Sequence, residues 1–283
     1  METVLSLAQL RQQVKQWRKQ GLTIGFVPTM GNLHAGHLSL VDKAKQHADK
    51  VIVSIFVNPL QFNDQIDLKA YPKTIEADTV QLTKTACDIV FVPDLATVYP
   101  EGMAKQSKIT VPDIGDRLCG AHRPGHFDGV ATVVTKLFHM AMPDVAVFGE
   151  KDYQQLLLIK KLVHDLNMPI EIIAAETHRE QNGLAMSSRN QYLSAIEQTT
   201  AADIVQTLLE IKQRLEQGQG DFTAICEQAK QAIEQKGFEV DYIEICREAD
   251  LMPAQSEDKA LRILIAAQLG PARLIDNMAC YLA

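Results

Sequence analysis

The chain has 283 residues, with 28 Lys+Arg against 35 Asp+Glu and a formal net charge of −7. A single domain of this length buries roughly 75% of its extended surface, so one large domain or two unequal ones are expected. At 46% hydrophobic and 22% charged, the composition is that of a soluble globular protein, and its acidic balance argues against a nucleic-acid platform while leaving small anionic ligands open.

No apolar run approaches the length of a membrane span. The start, METVLSLAQLRQQVKQWRKQG, lacks the apolar stretch of a signal peptide, and the expectation is a cytoplasmic chain. It reads as an amphipathic helix, with Ser6 and Gln9 in capping-box spacing and Gly21 at the stop. The cysteines (Cys87, Cys119, Cys226, Cys246, Cys280) form no CxxC pair, so neither a zinc site nor a disulfide framework is indicated.

Strand-like and helix-like segments then alternate. LTIGFVPTM (22–30) is apolar and followed by a helix over 37–48. VIVSIFVNP (51–59) has a buried-strand pattern ended by Asn-Pro, a helix lies around 75–86, and DIVFVP (88–93) is a strand. Helices at 129–141 and 153–166 alternate with strands at 144–149 and 170–175. This order implies a mostly parallel sheet covered on both faces, with ligands beyond the carboxyl ends of the strands. Residues 94–127, rich in Pro and Gly, read as a binding loop or as an ordinary surface excursion. After 190 a capping box at Ser194 and Glu197 opens a helix carrying Ile204, Leu208, Ile211 and Leu215. A second helix, strands at 239–246 and 261–267, and a short end follow, which suggests a small α+β domain.

Four loops at predicted strand ends could carry chemistry. PTMGNLHAGH (28–37) joins a strand to a helix N-terminus, where unpaired N–H groups suit phosphate. His34 and His37 can point to one side of that opening, and Gly36 admits a close approach. Gly31 and Gly36 have Walker A spacing, but His37-Leu38 stands where Lys-Ser/Thr is required. An isolated His-x-x-His is more often two surface histidines near a cap; the strand–turn–helix setting reverses that preference. GEKDYQQ (149–155) places Lys151 and Asp152 at a helix start, equally readable as a phosphate site or as a plain N-cap. LAMSSRN (184–190) offers two hydroxyls and a guanidinium, a phosphate clamp or a simple turn. In VNPLQF (57–62), Gln61 presents an amide that both donates and accepts.

Taken together and in order, these loops resemble the pantoate–β-alanine ligase family, within the HIGH-motif nucleotidyltransferases. HAGH (34–37) resembles the superfamily's His-x-Gly-His, and MSSRN (186–190) its second, KMSKS-like loop. IFVNPLQF (55–62), YPKT (71–74), RPGHFDGV (123–130), GEKDYQQL (149–156) and ARLIDN (272–277) are similar to the family pattern, which spans nearly the whole chain. The resemblance implies a Rossmann-like domain over 1–180, with a smaller C-terminal α+β domain over 181–283 closing on the ATP site. It also implies a homodimer, the substrates ATP, pantoate and β-alanine, magnesium, a pantoyl-adenylate intermediate, and release of AMP and pyrophosphate.

No protein nucleophile is needed, because the substrate's carboxylate attacks the α-phosphorus; positioning and charge carry catalysis. His34, His37, Lys151 and Arg189 are therefore assigned to phosphate charge, with His37 the proton donor by resemblance. The ATP site is expected to comprise Met30, Gly31, Asn32, Leu33, His34, Ala35, Gly36 and His37. Gly149, Glu150, Lys151, Asp152, Met186, Ser187, Ser188 and Arg189 complete it. His178 stands where the family usually has an apolar residue beside adenine, and its backbone would make that contact. Gln61 and Gln155 would hold pantoate; Tyr71, Arg123 and His126 are further substrate candidates, Arg123 for the β-alanine carboxylate. For magnesium, Asp78 and Gln81 remain where Ala77 interrupts an acidic set; alternatively ATP phosphates and water hold the metal. A transferase for a phosphorylated acceptor would want Lys or Arg in place of the neutral Gln61 and Gln155. A catalytically silent nucleotide-binding scaffold would not need all four cationic candidates.

Overall fold

The computed structural model describes residues 1–63 and 65–282. The chain divides into two compact units, residues 1–150 with 158–176, and residues 151–157 with 177–283.

The first unit is built on a six-stranded sheet in the order β1-β4-β3-β2-β5-β6, parallel throughout. The strands are β1 (Glu2–Val4), β2 (Ile24–Thr29), β3 (Lys50–Ile55), β4 (Ile89–Phe91), β5 (Val145–Gly149) and β6 (Glu171–Ala175). The central strands are apolar runs because both faces are covered, as a parallel sheet requires. Helix Ala35–His47 packs tightly on β2: a Cβ on Gly25 would lie 3.2 Å from the Ala48 methyl and 3.3 Å from that of Ala44. Val27, Val53, Val90 and Val147 meet Val41 and Ala44 in one core beneath that helix.

Strand order reverses between β2 and β5. After β2 the chain moves outward through β3 and β4; from β5 it moves the other way. The β2–β5 ladder covers only Gly25–Val145 and Phe26–Ala146, whereas β2–β3 pairing runs to Thr29–Ile55. Pro28, which has no N–H to donate, follows the last β5 pair. Such a reversal point is where α/β sheets place ligands, beyond the strands' carboxyl ends. The loop 30–34 leaves β2 at that end.

The second unit has the antiparallel sheet β7-β8-β9, with β7 Glu239–Arg247, β8 Ala260–Leu269 and β9 Ala272–Tyr281. Helices Asp203–Glu216 and Phe222–Glu234 lay Ile204, Leu208, Ile211, Leu215, Ile225 and Ile233 into its core. The fold class is as expected, a parallel α/β unit and a smaller α+β unit, with differences in detail. The helix after Ser194 is broken into Ala195–Ala201 and Asp203–Glu216, and the chain end is a full third strand. No helix among the described residues is long and apolar enough to cross a membrane.

Candidate active site

In the first unit, His34 is the N-cap of helix Ala35–His47, two residues earlier than expected. Ala35, Gly36 and His37 form its first turn, and the two imidazole centroids lie 4.0 Å apart. The His34 backbone N–H donates to His37 Nδ1 at 3.3 Å. A ring nitrogen that accepts carries no proton, so neutral His37 has its proton on Nε2. That tautomer presents a donor at the helix N-terminus, where the macrodipole also favours negative charge.

The turn before the helix is left-handed at Gly31 (φ +82°) and Asn32 (φ +50°). Asp78, on helix Ile75–Leu82, holds it there: Oδ2 accepts from Asn32 N–H at 2.9 Å and Oδ1 from Leu33 N–H at 2.7 Å. The Thr74 hydroxyl donates to the same carboxylate at 3.0 Å, and Gln81 Nε2 donates to the Leu33 carbonyl at 3.1 Å. Asp78 and Gln81, which the resemblance offered for magnesium, are thus engaged with the loop instead. Asp78 is 1% exposed and three donors point at it. Magnesium requires near-octahedral oxygens at about 2.0–2.1 Å and usually keeps several waters. Among the described residues, no group of three His, Cys, Asp or Glu side chains could hold a metal ion.

Gln61 lies in the turn Pro59–Gln61, capped by Asn58. Its Nε2 donates to Met30 Sδ at 3.1 Å, and its Oε1 accepts from Asn58 Nδ2 at 3.2 Å. The Gln61 carbonyl accepts from Arg123 Nη2 at 3.1 Å and lies 2.7 Å from His126 Nδ1. Arg123 and His126 thus brace the Gln61 backbone. Gly129 lets this turn sit directly on helix His126–Ala141, since a Cβ there would come within 2.4 Å of the Leu60 carbonyl oxygen. Tyr71 is buried edge-on against Phe62, with centroids 5.6 Å apart. Gly149 ends β5, and Glu150 follows it.

In the second unit, Lys151 Nζ lies 3.7 Å from the Asp152 carboxylate, and the Lys151 carbonyl accepts from Asn277 Nδ2 at 2.9 Å. Gln155 is half-buried. His178 has an exposed side chain, but its carbonyl accepts from Met186 N–H at 2.9 Å. Residues 178 and 186 are thus tied together across a tight turn, with Arg179 bridged to Ala185. The Arg189 N–H donates to Ser187 Oγ at 3.2 Å, opening a single turn over Ser188–Tyr192. Arg179 grips Asp276 with two nitrogens at 2.6 and 3.0 Å and also donates to the Gly183 carbonyl. The cationic candidates fall two to each unit: His34 and His37 in one, Lys151 and Arg189 in the other.

Asn58, Thr74, Asp276 and Asn277 were not singled out from the sequence. All four sit inside the motifs VNPLQF, YPKT and ARLIDN, which is the available signal; Tyr99 and Gly129 for Asn58, Arg179 for Asp276 and Lys151 for Asn277 lie far along the chain.

Residues 2–279 match the family model described as pantoate-beta-alanine ligase. A pantothenate synthetase from Ectopseudomonas mendocina is 54% identical over 100% of this chain and 99% of its own length. That of Thermus thermophilus, a crystal structure, superposes with a TM-score of 0.90 at 40% identity, over 98% of this chain and 99% of that one. The pantoate-beta-alanine ligase of Francisella tularensis, crystallised with beta-gamma ATP and beta-alanine, has a TM-score of 0.83 at 38% identity, over 98% and 97%. The strand order, the loop at its reversal point and likeness over nearly the full length agree: this chain belongs to the pantoate–β-alanine ligase family.

Proposed function

We propose that this chain condenses pantoate with β-alanine at the expense of ATP, through a pantoyl adenylate, releasing AMP and pyrophosphate. The pantoate carboxylate attacks the α-phosphorus and pyrophosphate leaves. The β-alanine amine then attacks the acyl carbon of the adenylate, AMP departs, and an amide remains. Neither step needs a nucleophile from the protein, so its work is positioning and neutralising developing negative charge.

The observation that carries this reading is the His34 N–H to His37 Nδ1 bond, which sets a protonated Nε2 at a helix N-terminus. His37 would donate to a phosphoryl oxygen as the pyrophosphate bond breaks, with His34 beside it. Lys151 and Arg189 would add full positive charge, and the Ser187 and Ser188 hydroxyls would hydrogen-bond phosphate oxygens. Met30 to Ala35, Gly36, Gly149, Glu150, Asp152, Met186 and the His178 backbone would line the nucleotide. Gln61 and Gln155 would read pantoate, with Gln61 also close to β-alanine and Tyr71, Arg123 and His126 around it. The ligands of the Francisella relative support ATP and β-alanine as substrates. Magnesium would enter on the ATP phosphates, in a cytoplasmic homodimer.

Exchange of labelled pyrophosphate into ATP tests the reading. It should require pantoate and proceed without β-alanine, and the full reaction should yield AMP. Release of ADP and free phosphate would overturn it.

A further inference from the structure

We propose that Asp78, aided by Thr74 and Gln81, is the positioning residue of the loop Gly31–Leu33 and not a ligand of magnesium. The inference rests on the nucleotide role proposed for that loop. Successive backbone N–H groups in such a turn form a concave nest that favours an anion. Here the nest of Asn32 and Leu33 is already filled, by the Asp78 carboxylate at 2.9 and 2.7 Å. Those two amides are therefore committed to the protein. Phosphate recognition at this end of β2 falls to the imidazoles and to the first turn of helix Ala35–His47.

Three further observations fit an anchor. Gly31 sits so close that a Cβ there would lie 3.0 Å from Asp78 Oδ2. Gln81, one helical turn on from Asp78, accounts for the Leu33 carbonyl. The Leu33 side chain enters the core with Val27 and Val41, so the loop is fixed by packing on one side and by a charge-assisted grip on the other. His34 follows Leu33 directly, so the grip also sets where the imidazole pair begins. Three donors already occupy most of the roughly four lone-pair sites of the carboxylate.

The test is Asp78→Asn in the full chain, with two readouts. Amide hydrogen exchange at Asn32 and Leu33, measured without substrate, should rise about tenfold or more, because an amide in place of the carboxylate turns one acceptor into a donor. The magnesium concentration for half-maximal pyrophosphate exchange at saturating ATP should stay within about twofold of the parent. Unchanged amide exchange would overturn the anchor, and a tenfold rise in the magnesium requirement would reinstate a ligand. Should Asp78→Asn fail to fold, Thr74→Val removes only the hydroxyl donor; it should raise exchange at Asn32 about two- to threefold with the same magnesium requirement, and no rise counts against the anchor. A chain lacking pantoate-dependent exchange would sink the functional reading, while amide exchange would still decide the anchor.

Discussion

Asp78 in the first unit and Asp276 in the second are both buried, at 1% and 3% exposure, and both hold a loop, yet their partners differ. Asp78 takes backbone N–H groups and a hydroxyl, so it fixes main-chain atoms directly. Asp276 takes the Arg179 guanidinium, and Arg179 in turn holds the Gly183 carbonyl inside the turn joining His178 to Met186. The first arrangement sets a backbone shape with few soft torsions between anchor and loop. The second works through a long side chain and matches charge with charge, so losing Arg179 leaves the Asp276 carboxylate with the Asn277 N–H at 2.8 Å and no guanidinium. Neighbouring Asn277 adds a neutral tie to the Lys151 carbonyl, so one strand, β9, supports both segments of that unit proposed for phosphate.

The largest expected effect separates the group proposed to meet phosphate from the proposed anchors. His37→Ala should lower the steady-state rate by about 10²-fold or more, as removal of a transition-state donor does. Its unfolding free energy, measured in urea, should fall by no more than about 1 kcal/mol, the scale of losing the cap-type bond from the His34 N–H. A large stability loss with little rate loss would move His37 into the anchor class.

Next comes Arg179→Ala, which leaves the Asp276 carboxylate buried. Breaking a buried pair costs about 3–5 kcal/mol, but the Arg179 side chain is 27% exposed, so solvent screening reduces this to about 2–3 kcal/mol. Arg179→Lys keeps the charge, loses the two-pronged geometry, and should cost about 1 kcal/mol. Urea unfolding of both variants reads the difference. Equal losses would mean that the fork, not the charge, carries the grip.

The sequence made the sheet legible because buried parallel strands are continuous apolar runs between turn signals. Both capping boxes, Ser6 with Gln9 and Ser194 with Glu197, form as their spacing suggests. What escaped has little local signal. Strand β1 is three residues long, and β9 interrupts its apolar residues with Arg273, Asp276 and Asn277. The partners of the two aspartates escaped for a related reason. Asp78 lies 45 residues from Leu33, and Asp276 lies 97 from Arg179, so their partners exist only once the chain has folded. The resemblance offers Asp78 and Gln81 for a metal; the loop amides and carbonyl they meet are what point to the anchor proposed above.

The turn carrying Gln61 is a third, neutral case beside the two aspartates, and the smallest effect is expected there. Tyr99 is 2% exposed, and its hydroxyl donates to Asn58 Oδ1 at 2.7 Å; Asn58 in turn donates to Gln61 Oε1 and to the Gly129 carbonyl. Burial pushes the Tyr99 phenol well above its ordinary range, so the donor keeps its proton across any working pH. Tyr99→Phe removes one neutral bond and leaves Asn58 Oδ1 with the Leu60 N–H at 3.3 Å. The expected stability loss is about 1 kcal/mol, and the KM for pantoate should rise about threefold while that for ATP holds within about twofold. Because the phenol does not titrate, the ratio of variant to parent should be the same at pH 6 and pH 9. Equal shifts in both KM values would mean that the Tyr99 hydroxyl supports the unit as a whole and not the Gln61 amide.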